Sequence, residues 1–353
     1  MTTSYPVISV AELAESPAVS PLLDATAGLV EPVVIVDLDD ADPELAQRAA
    51  ERVADLDRVL VGRAHQQVDD GLYSLTSALD LTYVAVDSPP HRSLVGVVDV
   101  DAAVESFVDV ADRLPQSTLV AAQVVRASES LTVPAAVDVE SFGYSTLQGG
   151  DEYRRWLEER QAKSREPRRQ EFADDPVLIE RVDDILRLTL NRPTRRNAYS
   201  AEIRDALVDA LRIPLLDSSI QRIVLDGAGP SFCAGGDLDE FGHMPDAVTA
   251  HFIRTRGGAA RLMGRLADRI EVRLHGHCVG AGIEIPAFAG RVVAEPDTVI
   301  RLPEVSMGLI PGAGGTVSVP RRIGRWRALH LFVTGAPLNA EQALAWGLVD
   351  EVG

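Results

Sequence analysis

The sequence predicts an α/β protein made of two units joined by a linker. Three observations lead to this prediction: continuous apolar runs typical of buried parallel strands, helical patterns that alternate with those runs, and one charged segment that contains two prolines. A length of 353 residues suits two domains better than one. We therefore expect a smaller α/β unit at 1–160, a linker at 161–176 and a second α/β unit at 177–353.

The N-terminal unit is predicted to alternate strands with helices and to end in helices. Its apolar runs predict strands at 33–36, 58–62 and 81–87. Helical spacing predicts helices at 43–56, 101–113 and 117–127. The first helix is expected to begin at Pro43, with Asp42 as its cap. A pair of amphipathic helices is expected to follow, separated near Gly149 and Gly150.

The C-terminal unit shows the same alternation with more glycine. A strand at 184–193 and a strand at 222–229 flank a helix at 201–212 that Ser200 is expected to cap. Residues 271–290 predict a strand, a glycine-rich turn and the start of a helix, and 301–316 predict a loop. The strand–helix–strand order of 33–62 returns at 185–227. A degenerate duplication and chance both explain this repetition.

Composition and charge limit the classes of function. The 34 basic and 53 acidic residues give a net charge of −19, which disfavours nucleic-acid binding because phosphates are repelled. No run of about 18 apolar residues is present, so we expect no membrane span. The N-terminal residues lack the pattern of a signal peptide, so we expect a cytoplasmic location. The two cysteines exclude a disulfide framework, and the single lysine excludes a phosphate-binding Gly-Lys-Ser/Thr loop.

Glycines cluster in three segments, 229–241, 275–284 and 307–315. A glycine-rich turn before a helix leaves the first helical N–H groups free to bind an anion. Two such turns facing each other would supply two donors to one oxygen, which a reaction that forms an enolate requires. Each segment taken alone is equally compatible with a simple turn.

Glu284 and Glu304 each follow a glycine- or proline-rich segment and lie among apolar residues. Burial of a carboxylate raises its pKa toward the range used in general acid–base catalysis. As a pair, the two groups could hold one water molecule between them, whereas either alone fits a salt bridge or a helix cap. His275 and His277 flank Gly276, and without a carboxylate at ligand spacing we expect no metal site there.

Several segments together resemble the crotonase superfamily, which is the enoyl-CoA hydratase/isomerase family. They are SFCAGGDLDEF, GAGIE, AFAG and LPEVSMGLIPGAGGT, together with LNRPTRRNAYS and TGAPLNAEQALAWGLVDEV. The resemblance covers about residues 177 to 353 and follows the order of the family. It implies a crotonase-like ββα superhelix in the C-terminal unit, an acyl-CoA thioester as substrate and no cofactor beyond the coenzyme A of that substrate.

The resemblance also implies roles for individual residues. The oxyanion-hole N–H groups correspond to Gly236 and Ala281, and the two catalytic glutamates correspond to Glu284 and Glu304. The expected substrate-binding residues are Asn197, Ala198, Ala234, Asp237, Leu238, Asp239, Gly280, Gly282, Pro303 and Gly312. Arg192, Arg195 and Arg196 are candidate phosphate contacts or, equally, part of a solvated loop.

The chain departs from the family pattern at two residues. Ala281 replaces a glycine, which is tolerable if its φ stays negative. Pro286 follows Glu284 closely enough either to sit in the first turn of the helix or to kink the helix there.

The family continues with further helices beyond the segment that ends here at Gly353, and residues 117–163 resemble those helices. We therefore interpret the N-terminal unit as a degenerate crotonase-like module that lacks the glycine loops and both glutamates. We hypothesise that its helices cap the active site. The resemblance also implies a homo-oligomer, either a trimer or a dimer of trimers.

The expected activity is that of an enoyl-CoA hydratase-like lyase. Isomerisation, thioester hydrolysis and decarboxylation on the same fold remain alternatives, as does a non-catalytic subunit that binds CoA thioesters. The paired glutamates favour catalysis, because a scaffold has no physical need for two desolvated carboxylates. The acyl group and the pathway do not follow from the sequence.

Overall fold

A five-stranded parallel sheet organises the N-terminal unit. The computed structural model describes residues 5–15, 21–163, 175–244 and 246–353. The strands lie in chain order, as β1 (Val7–Ser9), β2 (Val33–Asp37), β3 (Val59–Ala64), β4 (Leu81–Val84) and β5 (Leu94–Gly96). All neighbouring pairs are parallel. Sequence patterns predict β2, β3 and β4, whereas β1 and β5 are three-residue strands, too short for a pattern.

Helices cover this sheet and continue beyond it. They are α1 (Val10–Glu15), α2 (Ala46–Val53), α3 (Tyr73–Ala78), α4 (Val100–Arg113), α5 (Pro115–Ser128), α6 (Val133–Gln148) and α7 (Asp151–Lys163). The Asp42 side chain accepts a hydrogen bond from Glu44 N–H, and Pro43 begins a 3₁₀ turn that precedes α2. Gly149 and Gly150 separate α6 from α7, where the sequence predicts the break.

The C-terminal unit contains two sheets. Its strands are β6 (Val177–Val182), β7 (Ile185–Leu190), β8 (Arg222–Gly227), β9 (Ile270–Leu274), β10 (His277–Val279), β11 (Arg291–Ala294), β12 (Val299–Arg301), β13 (Leu338–Asn339) and β14 (Glu351–Val352). The larger sheet has the order β14-β11-β9-β8-β7-β6 and is parallel except for the β6–β7 hairpin. The smaller sheet has the order β10-β12-β13. The predicted α/β fold class is confirmed.

The helices of this unit follow the glycine-rich turns. They are α8 (Ala201–Leu216), α9 (Ala247–Arg256), α10 (Ala260–Arg265), α11 (Ala281–Glu284), α12 (Gly315–Ile323), α13 (Arg325–Thr334) and α14 (Ala340–Trp346). Ser200 caps α8 by accepting from Ile203 N–H. Pro286 begins a new 3₁₀ turn (Pro286–Phe288) directly after α11, so the proline stands where a missing N–H is tolerated.

The two units share one hydrophobic core. Phe107 of α4 and Val125 of α5 belong to the same buried cluster as Leu329 and Phe332 of α13. A second cluster lies within the N-terminal unit, on the opposite face of its sheet. The linker predicted at 161–176 lies mostly outside the described residues, and the domain division there stays a prediction. The packing shows that the core continues from one unit into the other.

Polar contacts reinforce the junction between the units. Asp80 is buried before β4 and accepts hydrogen bonds from Leu60 N–H (2.8 Å) and Arg126 Nε (2.7 Å). Nη1 of Arg325, at the start of α13, lies 3.6 Å from Asp80 Oδ1. The Trp326 indole N–H donates to Leu79 O at 2.9 Å. Within the described residues, no helix combines the length and the apolar character that crossing a membrane needs.

Candidate active site

A cavity of about 350 Å³ lies between the glycine-rich loops of the C-terminal unit and the last helices of the N-terminal unit. Helices α6 and α7 supply Val137, Glu140, Tyr144, Gln148 and Tyr153 to its lining. The loops after β8, β10 and β12 supply the remaining wall, including both glutamates singled out by the sequence. The cavity therefore depends on both units.

The turn between β10 and α11 requires glycine. Gly280 has a φ of +50°, and its N–H donates to Arg301 O at 2.9 Å, which ties the turn to β12. An added Cβ would overlap Glu304 Oε1 and would touch Glu284 Oε1 at 3.7 Å. The two carboxyl groups therefore approach the same backbone position, and only glycine leaves room between them.

Two backbone amides that the family resemblance assigns to the oxyanion hole lie on this cavity and have no protein acceptor within the described part of the chain. The first is the N–H of Ala281, which begins α11, so no helical carbonyl precedes it. Ala281 is not among the residues with positive φ, so its methyl group is tolerated. The second is the N–H of Gly236, on the loop after β8.

Backbone hydrogen bonds hold the two loops side by side. Val279 N–H donates to Cys233 O at 3.0 Å, and Tyr199 N–H donates to Gly235 O at 2.7 Å. Gly235 has a φ of +98°, which turns the chain so that the next residue, Gly236, lines the cavity. Both free amides thus line one cavity.

Glu284 ends α11 and is buried, with 2% of its surface exposed. Its Oε2 accepts hydrogen bonds from Ala313 N–H (2.7 Å) and Gly315 N–H (2.9 Å) at the start of α12. Burial raises the pKa of Glu284 to about 7, and the two amides counteract part of that rise. The group can therefore exist in both protonation states near neutral pH.

Glu304 opens the 3₁₀ turn Glu304–Met307 after β12 and is also buried. Within the described residues its Oε2 has no hydrogen-bond partner. Burial raises the pKa of Glu304 well above its usual value, and the nearby charge of Glu284 raises it further. A buried carboxyl oxygen without a protein partner is available to a substrate or to a water molecule.

A third glutamate, Glu140 of α6, lines the same cavity and is buried. Its two oxygens accept from Gly314 N–H (2.8 Å) and Thr316 N–H (2.9 Å), and the Thr316 hydroxyl donates as well (2.8 Å). Burial raises the pKa of Glu140 to about 8, with Glu284 adding to the rise. Glu140 and Glu284 therefore share the first amides of α12, the end of a helix that favours negative charge.

Comparison with known proteins identifies the family of the C-terminal unit. The family model "Enoyl-CoA hydratase/isomerase" matches residues 180–353. An enoyl-CoA isomerase/hydratase of Mycosarcoma maydis is 36% identical over 187 residues, covering 50% of this chain and 68% of that protein. A 2,3-dehydroadipyl-CoA hydratase of Escherichia coli (strain K12) is 35% identical over 176 residues, with the same two coverages. This chain belongs to the enoyl-CoA hydratase/isomerase family.

One solved structure is similar to half of the chain. The crystal structure of an enoyl-CoA hydratase from Thermoplasma volcanium GSS1 is 34% identical, with a TM-score of 0.45, and the match covers 51% of this chain and 72% of that one. Residues before 180 lie outside the family-model match. The degenerate crotonase-like character of the N-terminal unit therefore stays a prediction.

Most residues expected from the family resemblance line the cavity. They are Gly236, Ala281, Glu284 and Glu304, which the resemblance implies as catalytic groups, and Ala234, Asp237, Leu238, Gly280, Pro303 and Gly312, which it implies as substrate-binding groups. Gly312 lies against the Tyr144 ring so closely that an added Cβ would overlap it. This contact joins a family loop to helix α6 of the N-terminal unit.

Four expected residues do not line the cavity of this family member. Asn197 is fully buried, and its amide bonds to Arg192 N–H, Ala228 O and Ser231 O, so it holds loops together. Gly282 packs against Cys233 O, where a Cβ would overlap the carbonyl. The other two are Ala198, which is half-buried, and Asp239, which is exposed.

Two of the three candidate phosphate-binding arginines are paired with carboxylates. Arg195 Nη2 lies 2.7 Å from both Asp237 Oδ1 and Asp239 Oδ2. Arg192 is buried, donates to Ser200 Oγ and lies 3.6 Å from Asp237 Oδ2. Arg196 is exposed.

No cluster of three or more His, Cys, Asp or Glu side chains suited to a metal ion occurs in the described ranges. His275 Nε2 lies 3.1 Å from Gly229 O, at the end of β9. We therefore assign no role in the candidate chemistry to this histidine.

The sequence analysis expected the helices of 117–163 to cap the site, but it did not single out Glu140 of α6. The buried residues of α6 include Ala136, Val137, Glu140 and Ser141, so Glu140 lies within the apolar stripe of the helix. A charged residue in such a stripe is a signal of a buried functional or capping group, and it was available in the sequence.

Proposed function

We propose that this chain adds water across the α,β double bond of an enoyl-CoA thioester and catalyses the reverse elimination. The observation that carries the proposal is one cavity lined by the amides of Gly236 and Ala281 and by the buried carboxyl groups of Glu284 and Glu304. Within the described residues, these amides have no acceptor and these carboxyl groups have no cation within 4 Å. Family membership supports an enzyme of the hydratase/isomerase kind. The substrate would lie with its thioester carbonyl toward the amides.

The amides of Gly236 and Ala281 would donate to the thioester oxygen. When a nucleophile attacks Cβ, the electrons of the double bond move onto Cα and the carbonyl oxygen, which becomes enolate-like. Preorganised donors in a site shielded from water stabilise that developing charge without reorganising. The short helix α11 directs the Ala281 N–H, and the turn at Gly235 directs the next amide.

A difference between the two glutamates supports one division of roles between acid and base. Glu284 is held by two amide donors that favour its ionised form, so it would take a proton from water as the oxygen bonds to Cβ. Within the described residues, Glu304 Oε2 has no such donor, and burial together with the charge of Glu284 raises the pKa of Glu304. Glu304 would therefore be protonated and would deliver a proton to Cα. The net change is the addition of one water molecule.

The site supports further expectations carried over from the family. Ala234, Leu238, Pro303 and Gly312 would contact the acyl-CoA, and coenzyme A would enter only as part of the substrate. A trimer or a dimer of trimers and a cytoplasmic location stay predictions.

The test is an assay with crotonyl-CoA and mass analysis of the product, on the full chain and on Glu304→Gln. We expect a product heavier by one water and a kcat at least about 100-fold lower in the variant, because a general acid is lost. Glu341→Gln, an exposed change on α14, serves as the control and should keep full activity.

Other outcomes would redirect the proposal. Unchanged turnover in Glu304→Gln would remove Glu304 from the mechanism. Consumption of a 3-enoyl-CoA while crotonyl-CoA stays intact would indicate isomerisation. Binding of thioesters without turnover of either substrate would indicate a non-catalytic subunit.

A further inference from the structure

One arginine on the cavity wall has a feature that the proposed hydration does not use. Arg254 of α9 lines the cavity and reaches across to α6. Its Nε donates to Ser141 Oγ at 3.0 Å, and its Nη1 donates to Gln148 Oε1 at 3.3 Å. Its Nη2 donates to Ser145 Oγ and to Ser141 O. All of these partners are neutral.

No carboxylate lies within 4 Å of the Arg254 guanidinium in the part of the chain that the structure describes. The other basic residue of the cavity lining, Arg204, differs in this respect, because its Nη2 lies 2.7 Å from Asp205 Oδ1. Burial lowers the pKa of Arg254 from its usual value, which shows that its charge is partly desolvated. The charge of Glu140 acts on Arg254 from beyond that distance. A desolvated cation without a carboxylate in direct contact is a favourable place for an anion to bind.

Arg254 lies beside Tyr144 and, through that ring, beside the loop that carries Gly312. The guanidinium stacks over the Tyr144 ring at 4.5 Å, and the same ring lies against Gly312. The pKa of the Tyr144 hydroxyl is raised by burial, by Tyr153 and by both Glu284 and Glu304, and is lowered by Arg254. Tyr144 therefore lies near the cation and near both glutamates.

Beyond its polar neighbours, Arg254 shares the cavity with several apolar side chains. Val137, Phe241, Met244, Ile253, Ala259 and Ala260 line the cavity together with Arg254. An apolar wall with one cation fits a hydrocarbon chain that ends in a negative charge. The guanidinium fork matches the geometry of a carboxylate, and Gln148 is a weakly held neutral partner that such a group could replace.

We propose that Arg254 binds a carboxylate at the far end of the acyl chain, so that the preferred substrates are CoA thioesters of dicarboxylic 2-enoic acids. The inference rests on the proposed function, because it takes the thioester to lie at the amides of Gly236 and Ala281. It adds a specificity-determining residue and a substrate class. In this arrangement Arg254 contacts no reacting atom, and it affects only which acyl-CoA substrates are bound.

The test measures binding of saturated thioesters, which cannot be hydrated, by calorimetry. Succinyl-, adipyl- and suberyl-CoA are compared with butyryl-, hexanoyl- and octanoyl-CoA, so that each pair differs in a terminal carboxylate against a methyl group. We expect the full chain to bind one dicarboxylic thioester at least about tenfold more tightly than its matched partner, as a charge-assisted contact provides.

Arg254→Gln should lose that preference while binding the matched monocarboxylic thioester within about threefold of the unaltered chain. Arg254→Lys, which keeps the charge, should retain part of the preference and shows that the site still folds. Arg256→Gln is the control, because Arg256 lies on the same helix but is exposed and faces Asp138. It should change nothing.

Three results would overturn the proposal. Equal binding within every pair would show that the far end of the acyl chain is not recognised. An equal loss for both members of a pair, and for free coenzyme A, in Arg254→Gln would show that Arg254 contacts a phosphate. Absence of binding to all six thioesters would remove the proposed function as well, which separates its failure from a failure of the substrate class alone.

Discussion

The two units alternate strands and helices in the same way, but the acidic side chains that follow their strands differ in burial and in pairing with cations. At the ends of β2 and β3 in the N-terminal unit, Asp37 pairs with Arg63 at 2.8 Å and Asp39 bonds to His65, near the surface. At the ends of β10 and β12 in the C-terminal unit, Glu284 and Glu304 are buried without any cation partner within 4 Å among the described residues. Exposed ion pairs after strands add little to stability and keep the sheet edge polar. Buried carboxyl groups without a cation partner, in contrast, indicate a functional site.

Two buried hydrogen-bond networks, one around Asp80 and one around Glu140 and Glu284, also differ in whether a cation compensates the carboxylate. Asp80, at the junction of the units, is bonded to Arg126 and lies near Arg325, so its charge is compensated. Glu140 and Glu284 receive only N–H and O–H donors from α12 and the residues before it. The difference indicates that the N-terminal unit plays two roles: it holds the junction through ion pairs, and it completes the cavity through α6.

Separating the units should have the largest effect. A fragment of residues 170–353 should be insoluble or inactive, because α13 would expose the apolar face that packs on α4 and α5, and the cavity would lose its α6 wall. Co-expression with residues 1–169 as a second chain should restore soluble, active protein. Sedimentation of the lysate and the crotonyl-CoA assay measure both. A soluble, fully active 170–353 fragment would show that the N-terminal unit is dispensable.

Asp80→Asn should have the next largest effect, on stability. Removing this charge leaves Arg126 and Arg325 without their shared buried partner, which should lower the free energy of unfolding by about 3 kcal/mol or more. Chemical denaturation measures the change, and turnover per folded molecule should stay unchanged. The matched control is Asp55→Asn, which removes an exposed pair with Arg52 and should cost less than about 1 kcal/mol. Equal losses in the two variants would contradict the structural role of Asp80.

The glycine loops and their two glutamates could be predicted because the relevant information is local. Gly280 and Glu284 are four residues apart along one turn and one short helix, and apolar neighbours already indicate that the glutamate is buried. The strand β10, the turn and α11 follow in the predicted order. What the pattern could not give is which amide of the neighbouring loop faces the same cavity.

The residues that the sequence misplaced depend on distant partners. Asn197 looked like a ligand-binding residue, but its side chain bonds to carbonyl groups more than 30 residues away, at Ala228 and Ser231. Glu140 was missed for the same reason, since its partner Gly314 lies 174 residues along the chain. Helix periodicity shows that a face is buried, but not against which element.

Glu140→Gln should have the smallest effect, and it tests whether the third glutamate belongs with the other two. The pKa of Glu140 in the folded chain is raised to about 8, so between the unfolded value near 4.5 and about 8 the folded chain holds a proton that the unfolded chain releases. The free energy of unfolding of the unaltered chain should therefore fall as pH rises through this range. Glutamine does not titrate, so the variant should show a shallower fall, with kcat reduced by less than about tenfold.

Chemical denaturation at a series of pH values measures how the free energy of unfolding changes with pH in the unaltered chain and in Glu140→Gln. The other titratable groups near Glu140 are the same in both proteins. Glu284, Glu304, Tyr144 and Arg254 stay in place in both proteins, so they contribute to both curves. Glu152→Gln is the matched control, because Glu152 is also buried and caps α5 through Gln116 N–H and Ser117 N–H, but it does not line the cavity. That variant should lose stability and keep the pH dependence of turnover. Parallel stability curves for the unaltered chain and Glu140→Gln would show that Glu140 titrates alike in the folded and unfolded chains, and it would then be only a helix cap.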